Sequence, residues 1–203
     1  MALFRDRIAP VLVDHLMGRA VSTARRERLV PRASGRVLEV GIGTGQNLPW
    51  YGPGVQSLLA VDPAWNLQPK AIERARALGR EVEFLVQPCE KLALPEHSID
   101  TVVMTWTLCS IRDPHAALAA LRRALVPGGR LLFIEHGRAD DRDTARRQDR
   151  LDPAWSRLTS NCHLNRPIES LIRSAGFEVQ EIERSFDPGP RILGFHYQGV
   201  ATS

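Results

Sequence analysis

The sequence predicts an α/β fold with a mostly parallel sheet and helices on both of its faces. Three observations support this fold: apolar runs of strand length, helical patterns between them, and enough apolar residues for one full core. The runs recur five times between residues 35 and 137, and 43% of the 203 residues are hydrophobic. Continuous apolar strands separated by helices are typical of a parallel sheet that is buried on both faces. We therefore expect a single domain over residues 1–203.

The five strands of this core are expected at residues 37–40, 58–61, 82–86, 101–105 and 130–135. Between them, residues 70–78 and 115–125 carry apolar side chains on one helical face, which predicts two helices. Pro127-Gly128-Gly129 is expected to form the turn that ends the second helix.

The segments on either side of the core complete the fold. Residues 3–30 have apolar positions at helical spacing, which predicts one or two helices. Residues 140–152 alternate in charge and fit an exposed helix or a mobile loop, and residues 166–175 predict a further helix. Residues 177–184 and 192–200 alternate like strands and are expected to pair at the sheet edge. The result is a seven-stranded, mostly parallel sheet with an antiparallel edge strand.

Charge and cysteine content narrow the classes of function. A formal net charge of +4 does not indicate a nucleic-acid partner and suits a pocket for small anions. Three widely spaced cysteines give neither a disulfide framework nor a zinc pattern, so we expect reduced thiols, no metal and a cytoplasmic location. The first 19 residues, MALFRDRIAPVLVDHLMGR, carry charges within their apolar run, which argues against a signal peptide or membrane span. Peripheral membrane contact is not expected either.

A glycine-rich loop follows the first predicted strand, where VLEV leads directly into GIGTG at residues 41–45. Glycine permits the positive φ angles and the close backbone approach that a nucleotide-like cofactor needs at the carboxyl end of a strand. The spacing GxGxG differs by one residue from the GxGxxG of dinucleotide sites, so a nicotinamide or flavin cofactor remains an alternative. A glycine turn that serves only strand-to-helix geometry is the other alternative.

Two carboxylates narrow the choice of cofactor. Asp62 ends the second strand, where it can accept both hydroxyls of a ribose in nicotinamide and S-adenosylmethionine sites alike. Glu39 stands just before the glycines, where it would repel a pyrophosphate but could hold the ammonium group of S-adenosylmethionine. Cys89 and Glu90 follow the third strand, where adenine would be read. These residues together favour S-adenosylmethionine.

In the motifs VLEVGIGTGQNLPWY, LLAVDPAW, SIDTVVMTWTLCSI and RRALVPGGRLLFIEH the chain resembles the class I S-adenosylmethionine-dependent methyltransferases. It is similar to their ubiquinone/menaquinone-methyltransferase branch. It is most similar to the methyltransferase-like seven group of alkyl thiol S-methyltransferases, through TLCSI, FIEH, LDPAW, NCHLNR and PRILGF. The animal members of that group begin with a hydrophobic anchor, which we do not expect here. The resemblance implies a Rossmann-like fold, with a helical lid at 1–34, a cofactor-binding core at 35–137 and a substrate-side segment at 138–203.

The resemblance also implies a set of cofactor-binding residues. The glycine loop with the glutamate before it would line the methionine and ribose end, and the acid after the second strand would bind the ribose. The residues after the second and third strands would surround the adenine, and those after the fourth would close over the sulfonium. The matching positions are Glu39, Gly41, Gly43, Gly45, Asp62, Pro63, Ala64, Cys89, Glu90, Thr105, Trp106 and Thr107.

Candidates for the methyl-transfer step lie after the fifth strand. His136 follows that strand at the edge where open α/β sheets build their sites, and histidine titrates in the useful range. Asp152 and His163 are further candidates for a catalytic base. A base would help because a thiol, with a reference pKa of about 8.5, is only slightly ionised near neutral pH. A purely structural role for all three is the alternative, and a metal site formed by them is disfavoured.

Trp155, Asn161 and Cys162 are the candidates for contact with the methyl acceptor, because they lie in an irregular stretch of polar and aromatic residues. The alternative is a lid that packs Trp155 into the core.

The predicted activity is methyl transfer to a small molecule, with a thiol or sulfide as the preferred acceptor. A quinone carbon or a lipid amine is the first alternative, favoured by an apolar entrance formed by Leu3, Phe4, Ile8, Trp50 and Tyr51. A regulatory protein that holds S-adenosylmethionine without turnover and a nicotinamide oxidoreductase are the others. The sequence predicts no oligomeric state.

Overall fold

A computed structural model describes Gly18, residues 20–159 and residues 161–203. The predicted helical stretch before residue 18, with its apolar positions Leu3, Phe4 and Ile8, lies outside the described residues. Within them the first helix, α1, spans Ala20–Leu29. No helix in this described part of the chain has the length and apolarity that a membrane crossing requires.

The described residues form a sheet of seven strands, as predicted, and the strands follow one another along the chain in the predicted order. They are β1 Gly35–Val40, β2 Val55–Val61, β3 Glu83–Leu85, β4 Ile99–Thr105, β5 Leu125–His136, β6 Glu178–Phe186 and β7 Phe195–Thr202. Their order in the sheet is β3-β2-β1-β4-β5-β7-β6. Strands β1 to β5 pair in parallel, and β7 runs antiparallel to both of its neighbours, β5 and β6. The last two strands thus form the expected pair at the sheet edge.

Five further helices connect the strands: α2 Gln68–Ala77, α3 Pro114–Ala124, α4 Arg142–Leu158, α5 Ile168–Ser174 and α6 Arg191–Gly194. The charged stretch that fitted either a helix or a loop is the helix α4, whose first turn is capped by Asp141 accepting from the Thr144 N–H at 2.9 Å. The short helix α6 occupies residues predicted as the start of the last strand.

The predicted turn at Pro127-Gly128-Gly129 is wrong in one respect. Helix α3 ends at Ala124, and the three residues lie inside β5 rather than before it. The register explains this: β5 meets β4 first at Ile99 opposite Leu125 and then, after an irregularity, at Thr101 opposite Arg130. The residues between these two pairings therefore remain part of the strand, and the glycines accommodate a local β-bulge.

Two apolar layers cover the two faces of the sheet, because successive strand residues point to opposite faces. Leu38 and Val102 belong to the layer under α3 and α5, which contribute Leu118, Leu121, Ile168 and Ile172. Val37 and Val103 belong to the opposite layer, with Leu29 of α1 and Ala71 of α2. Burial on both faces fixes the register of the central strands, so their carboxyl ends meet at one rigid edge. The strand order reverses between β1 and β4, where ligands of such sheets bind.

Candidate active site

A cleft of about 730 Å³ opens at this edge of the sheet, beside the carboxyl ends of β1, β2 and β4. Its volume lies within the range of small-molecule sites. Eleven of the twelve positions matched to the cofactor site, all except Gly45, line it together. We call residues 39–64 and 89–90 the cofactor side, and residues 105–113, 135–136 and 152–166 the acceptor side; the two sides meet at residues 105–107.

Two features require glycine in the loop at residues 41–45: positive φ angles and the close approach of neighbouring atoms. Gly41 has a φ of +75° and Gly43 a φ of +54°, both in the left-handed region. A Cβ on Gly41 would lie 2.2 Å from the Thr107 Oγ1 atom, so no other residue fits there. Gly45 does not line the cleft; a Cβ there would lie 2.7 Å from Leu48 Cδ1, which makes it a packing glycine.

Asp62 lies at the end of β2 and ties the glycine loop to the next turn. Its Oδ2 atom accepts the Gly43 N–H at 2.8 Å, and its Oδ1 atom accepts the Ala64 N–H at 2.8 Å. Burial raises the pKa of this carboxyl, while the two backbone bonds oppose the shift. Each oxygen keeps a further lone pair, so Asp62 can accept two hydroxyl donors from the cleft.

Glu39 is almost fully buried at the floor of the cleft. Its Oε1 accepts from Asn47 Nδ2 and its Oε2 from the Tyr51 hydroxyl, both at 2.9 Å. Desolvation raises the pKa of Glu39 to about 7, against the lowering effect of those two donors. Tyr51, proposed from the sequence as part of an apolar entrance, is instead a buried partner of this carboxyl.

Sequence reasoning missed two residues that organise the cofactor side. Asn47 lies within the motif after the glycines, and its Oδ1 accepts from Arg26 Nε at 2.9 Å. The guanidinium of Arg26 also lies 4.7 Å from the centre of the Trp106 ring, which joins α1 to the segment after β4. Asn47 was visible in the motif, whereas Arg26 gave no signal because its helix is polar on this face.

The predicted adenine end contains a buried thiol of low reactivity. Cys89 lines the cleft with Pro63, Ala64 and Glu90, and burial raises its pKa to about 12. The thiol therefore stays protonated, and it gives this part of the cleft a mostly apolar wall with one weak S–H donor.

Glu135, a third residue that the sequence analysis passed over, holds the acceptor side in shape. Its carboxylate accepts the backbone N–H groups of Thr107 and Leu108 at 2.9 Å and of Cys109 at 3.2 Å. Burial raises the pKa of Glu135 to about 7 despite these three donors. Its place in FIEH, on the strand next to the one that TLCSI follows, was the signal that could have identified it.

Asp152 and His163, two predicted base candidates, are brought together. The Asp152 Oδ2 lies 2.8 Å from His163 Nδ1, and Oδ1 accepts the Leu164 N–H at 2.7 Å. Asn161, two residues before His163, lines the cleft with a φ of 72° and donates from Nδ2 to the Ser110 carbonyl at 2.9 Å.

His136 lies behind the cleft rather than in its wall. Its Nε2 is 3.3 Å from Cys162 Sγ, which in turn is 4.0 Å from Cys109 Sγ. Contact with Cys109 and with His136 lowers the pKa of Cys162, whereas contact with Cys162 and burial raise that of Cys109. Burial opposes protonation of His136, but Cys162 and Glu135 together outweigh it and raise the pKa. The predicted residues Asp152, Trp155, Cys162 and His163 are likewise not among the residues that line the cleft, whereas Asn161 is.

Comparison with known proteins agrees with this geometry. A family model described as a methyltransferase domain matches residues 38–133. Thiol S-methyltransferase TMT1B of Rattus norvegicus is 34% identical over 78% of this chain and 68% of that protein. Phosphatidylethanolamine N-methyltransferase of Cereibacter sphaeroides is 27% identical over 92% of each chain. The solved structure of a SAM-dependent methyltransferase of Thermotoga maritima has a TM-score of 0.69, at 22% identity, over 100% of this chain and 99% of that one.

Proposed function

The chain belongs to the S-adenosylmethionine-dependent methyltransferases, and on that premise we propose that it methylates the sulfur of a small thiol. The observation that carries the thiol is the 34% identity to a thiol S-methyltransferase over 78% of the chain. That span is longer than residues 35–137, so the similarity extends beyond the cofactor-binding core.

The cofactor side fits S-adenosylmethionine on its own chemistry. The backbone of Gly41 and Gly43 faces the cleft without side chains, and Asp62 keeps lone pairs for the two ribose hydroxyls. Glu39 is a buried carboxyl at the same wall, where a cationic ammonium group would favour its ionised form. When bound there, S-adenosylmethionine supplies a methyl group that is activated by a positively charged sulfur.

The residues of the acceptor side would align the thiol and take its proton. Asn161 and Ser110 line the cleft, and two residues after Asn161 the Asp152 carboxylate orients the His163 ring through Nδ1. That contact leaves His163 Nε2 as the atom that accepts the proton as the thiol sulfur becomes nucleophilic. The base role of His136 stays a prediction from the sequence, since its Nε2 faces Cys162.

Turnover with a panel of thiols tests this proposal. The protein is incubated with methyl-labelled S-adenosylmethionine and an aliphatic thiol, an aromatic thiol and the matching alcohols. We expect methyl thioethers and S-adenosylhomocysteine in equal amounts from the thiols and none from the alcohols. Absence of thioether across the panel, with S-adenosylmethionine bound in calorimetry, would refute the thiol acceptor and leave the family intact.

A His163→Gln variant separates a base from a structural residue. Loss of a catalytic base should lower kcat for an aliphatic thiol roughly 100-fold. The kcat for an aromatic thiol, which ionises without help, should fall much less. Binding of S-adenosylmethionine should not change. An equal loss for both thiols would contradict the assignment of His163 as the base.

A lipid amine is the second candidate acceptor, because the phosphatidylethanolamine N-methyltransferase matches 92% of this chain. Vesicles that contain phosphatidylethanolamine, added to the same assay, distinguish the two. N-methylated lipid without thioether would favour the amine.

A further inference from the structure

Cys109, His136 and Cys162 converge on the acceptor side, behind the lining of the cleft, from three separate segments. Cys109 lies in the turn after β4, His136 is the last residue of β5, and Cys162 lies in the loop between α4 and α5. One ligand-type atom from each side chain lies within 4.8 Å of the other two. We propose that these three side chains form a zinc site with one open coordination position.

The distances between these atoms are compatible with a tetrahedral ion. Zinc binds thiolate sulfur at about 2.3 Å and imidazole nitrogen at about 2.0 Å, and at tetrahedral angles its ligands lie roughly 3.8 Å apart for two sulfurs and roughly 3.5 Å for sulfur and nitrogen. The Cys162–Cys109 sulfur pair is 4.0 Å apart and the Cys162–His136 pair 3.3 Å. A single zinc ion can therefore reach these atoms with small adjustments.

The surroundings of the cluster also favour a cation. Two thiol groups lie beside the buried carboxyl of Glu135, which already accepts the Cys109 N–H. The nearby Arg166 guanidinium is directed to the carbonyl oxygens of Leu108 and Ile111. The buried Trp155 Nε1 atom lies beside the Cys162 side chain, so it can donate to a metal-bound thiolate.

The absence of a zinc motif in the sequence has a simple explanation. The three ligands are 27 and 26 residues apart in the chain and follow different elements, so no short spacing connects them. Only the alignment of β4 beside β5, and the return of the loop after α4, bring them together.

The open fourth position gives the site a place in the proposed function. Zinc sites with three protein ligands keep that position for water or substrate. Ser110 and Asn161, chain neighbours of Cys109 and Cys162, line the cleft, so the thiol acceptor would bind there through sulfur as a thiolate. Binding replaces the S–H bond by an S–Zn bond, and the proton passes to His163 Nε2, the base proposed above. This second step rests on the proposed function, whereas the metal site does not.

Metal content of the full chain tests the site directly. Protein purified under reducing conditions, loaded with zinc and desalted, is expected to retain about one zinc ion per chain. Cys109→Ser and Cys162→Ser should each lower that content at least tenfold, while Cys89→Ser, the third cysteine, should not. Wild-type protein that retains no zinc, or that retains it equally in all three variants, would overturn the proposal.

Cobalt(II) in place of zinc provides a second readout that does not depend on whether a variant folds. The wild-type protein should show a sulfur-to-cobalt charge-transfer band, and a thiol added without S-adenosylmethionine should intensify it. Cobalt binding without that band refutes the site. A band that thiols leave unchanged refutes only the open position, and thiol turnover that fails with zinc bound refutes the proposed function instead.

Discussion

Glu39 and Glu135 are two glutamates with the same burial and different partners, one on each side of the cleft. Both are almost fully buried, and burial raises the pKa of each to about 7. Glu39 accepts hydrogen bonds from two side chains that lie eight and twelve residues later in the chain. Glu135 is held by three backbone N–H groups of a turn 26 to 28 residues earlier. The contacts of Glu39 are therefore local in sequence, whereas those of Glu135 join distant segments.

The largest expected effect is the pH dependence that Glu39 gives to stability. The ordinary pKa of this carboxyl is 4.5 and its folded value about 7, so between these pH values the folded chain keeps a proton that the unfolded chain loses. Its contribution to stability is present below pH 4.5 and lost as pH rises to 7, by about 3 kcal/mol. Chemical denaturation of wild type and Glu39→Gln at pH 5 and pH 7.5 measures it.

The difference between wild type and Glu39→Gln should therefore shift in favour of the variant as pH rises. S-adenosylhomocysteine, which brings the ammonium group, should reduce the shift if Glu39 receives that group. A difference that is constant with pH would show that Glu39 is ionised throughout.

A smaller effect is expected when Glu135 is changed to glutamine. The glutamine oxygen can still accept from Thr107 and Leu108, but its NH2 group then faces the Cys109 N–H. One buried donor is left unsatisfied, at a cost of about 2 kcal/mol. Urea unfolding measures the loss, and the KM for the acceptor should rise while the Kd for S-adenosylmethionine stays the same.

The same measurements on Glu39→Gln are the matched control for Glu135→Gln. There the Kd for S-adenosylmethionine should rise and the KM for the acceptor should not. If both variants change both constants alike, the two sides of the cleft are one coupled unit and the division made here fails.

The division also explains how far the sequence predicted the molecule. Strands β1 to β5, the glycine loop and Asp62 were predicted because apolar runs and glycines are local signals. Arg26 and Glu135 were not, since their roles depend on Asn47 and on the turn at 107–109, which lie far from them in the chain. The pairing of Asp152 with His163 could be suspected from their types but needed α4 and its following loop to be folded.

The smallest expected effect comes from a helix cap, a contact between residues close in sequence that lies on the acceptor side. Asp113 precedes Pro114 at the start of α3, and its side chain accepts the Ala116 N–H at 3.0 Å. An N-cap of this kind contributes about 1 kcal/mol, so Asp113→Ala should lose that much in urea unfolding. Asp113→Asn, which keeps the accepting oxygen, should lose only a few tenths, and the difference between the two variants isolates the cap. Because the cap acts within one helical turn, the contacts of Glu135 should persist, and the KM for the acceptor should change less than in Glu135→Gln. A larger rise in KM for Asp113→Ala would mean that the start of α3, rather than the turn held by Glu135, shapes this wall of the cleft.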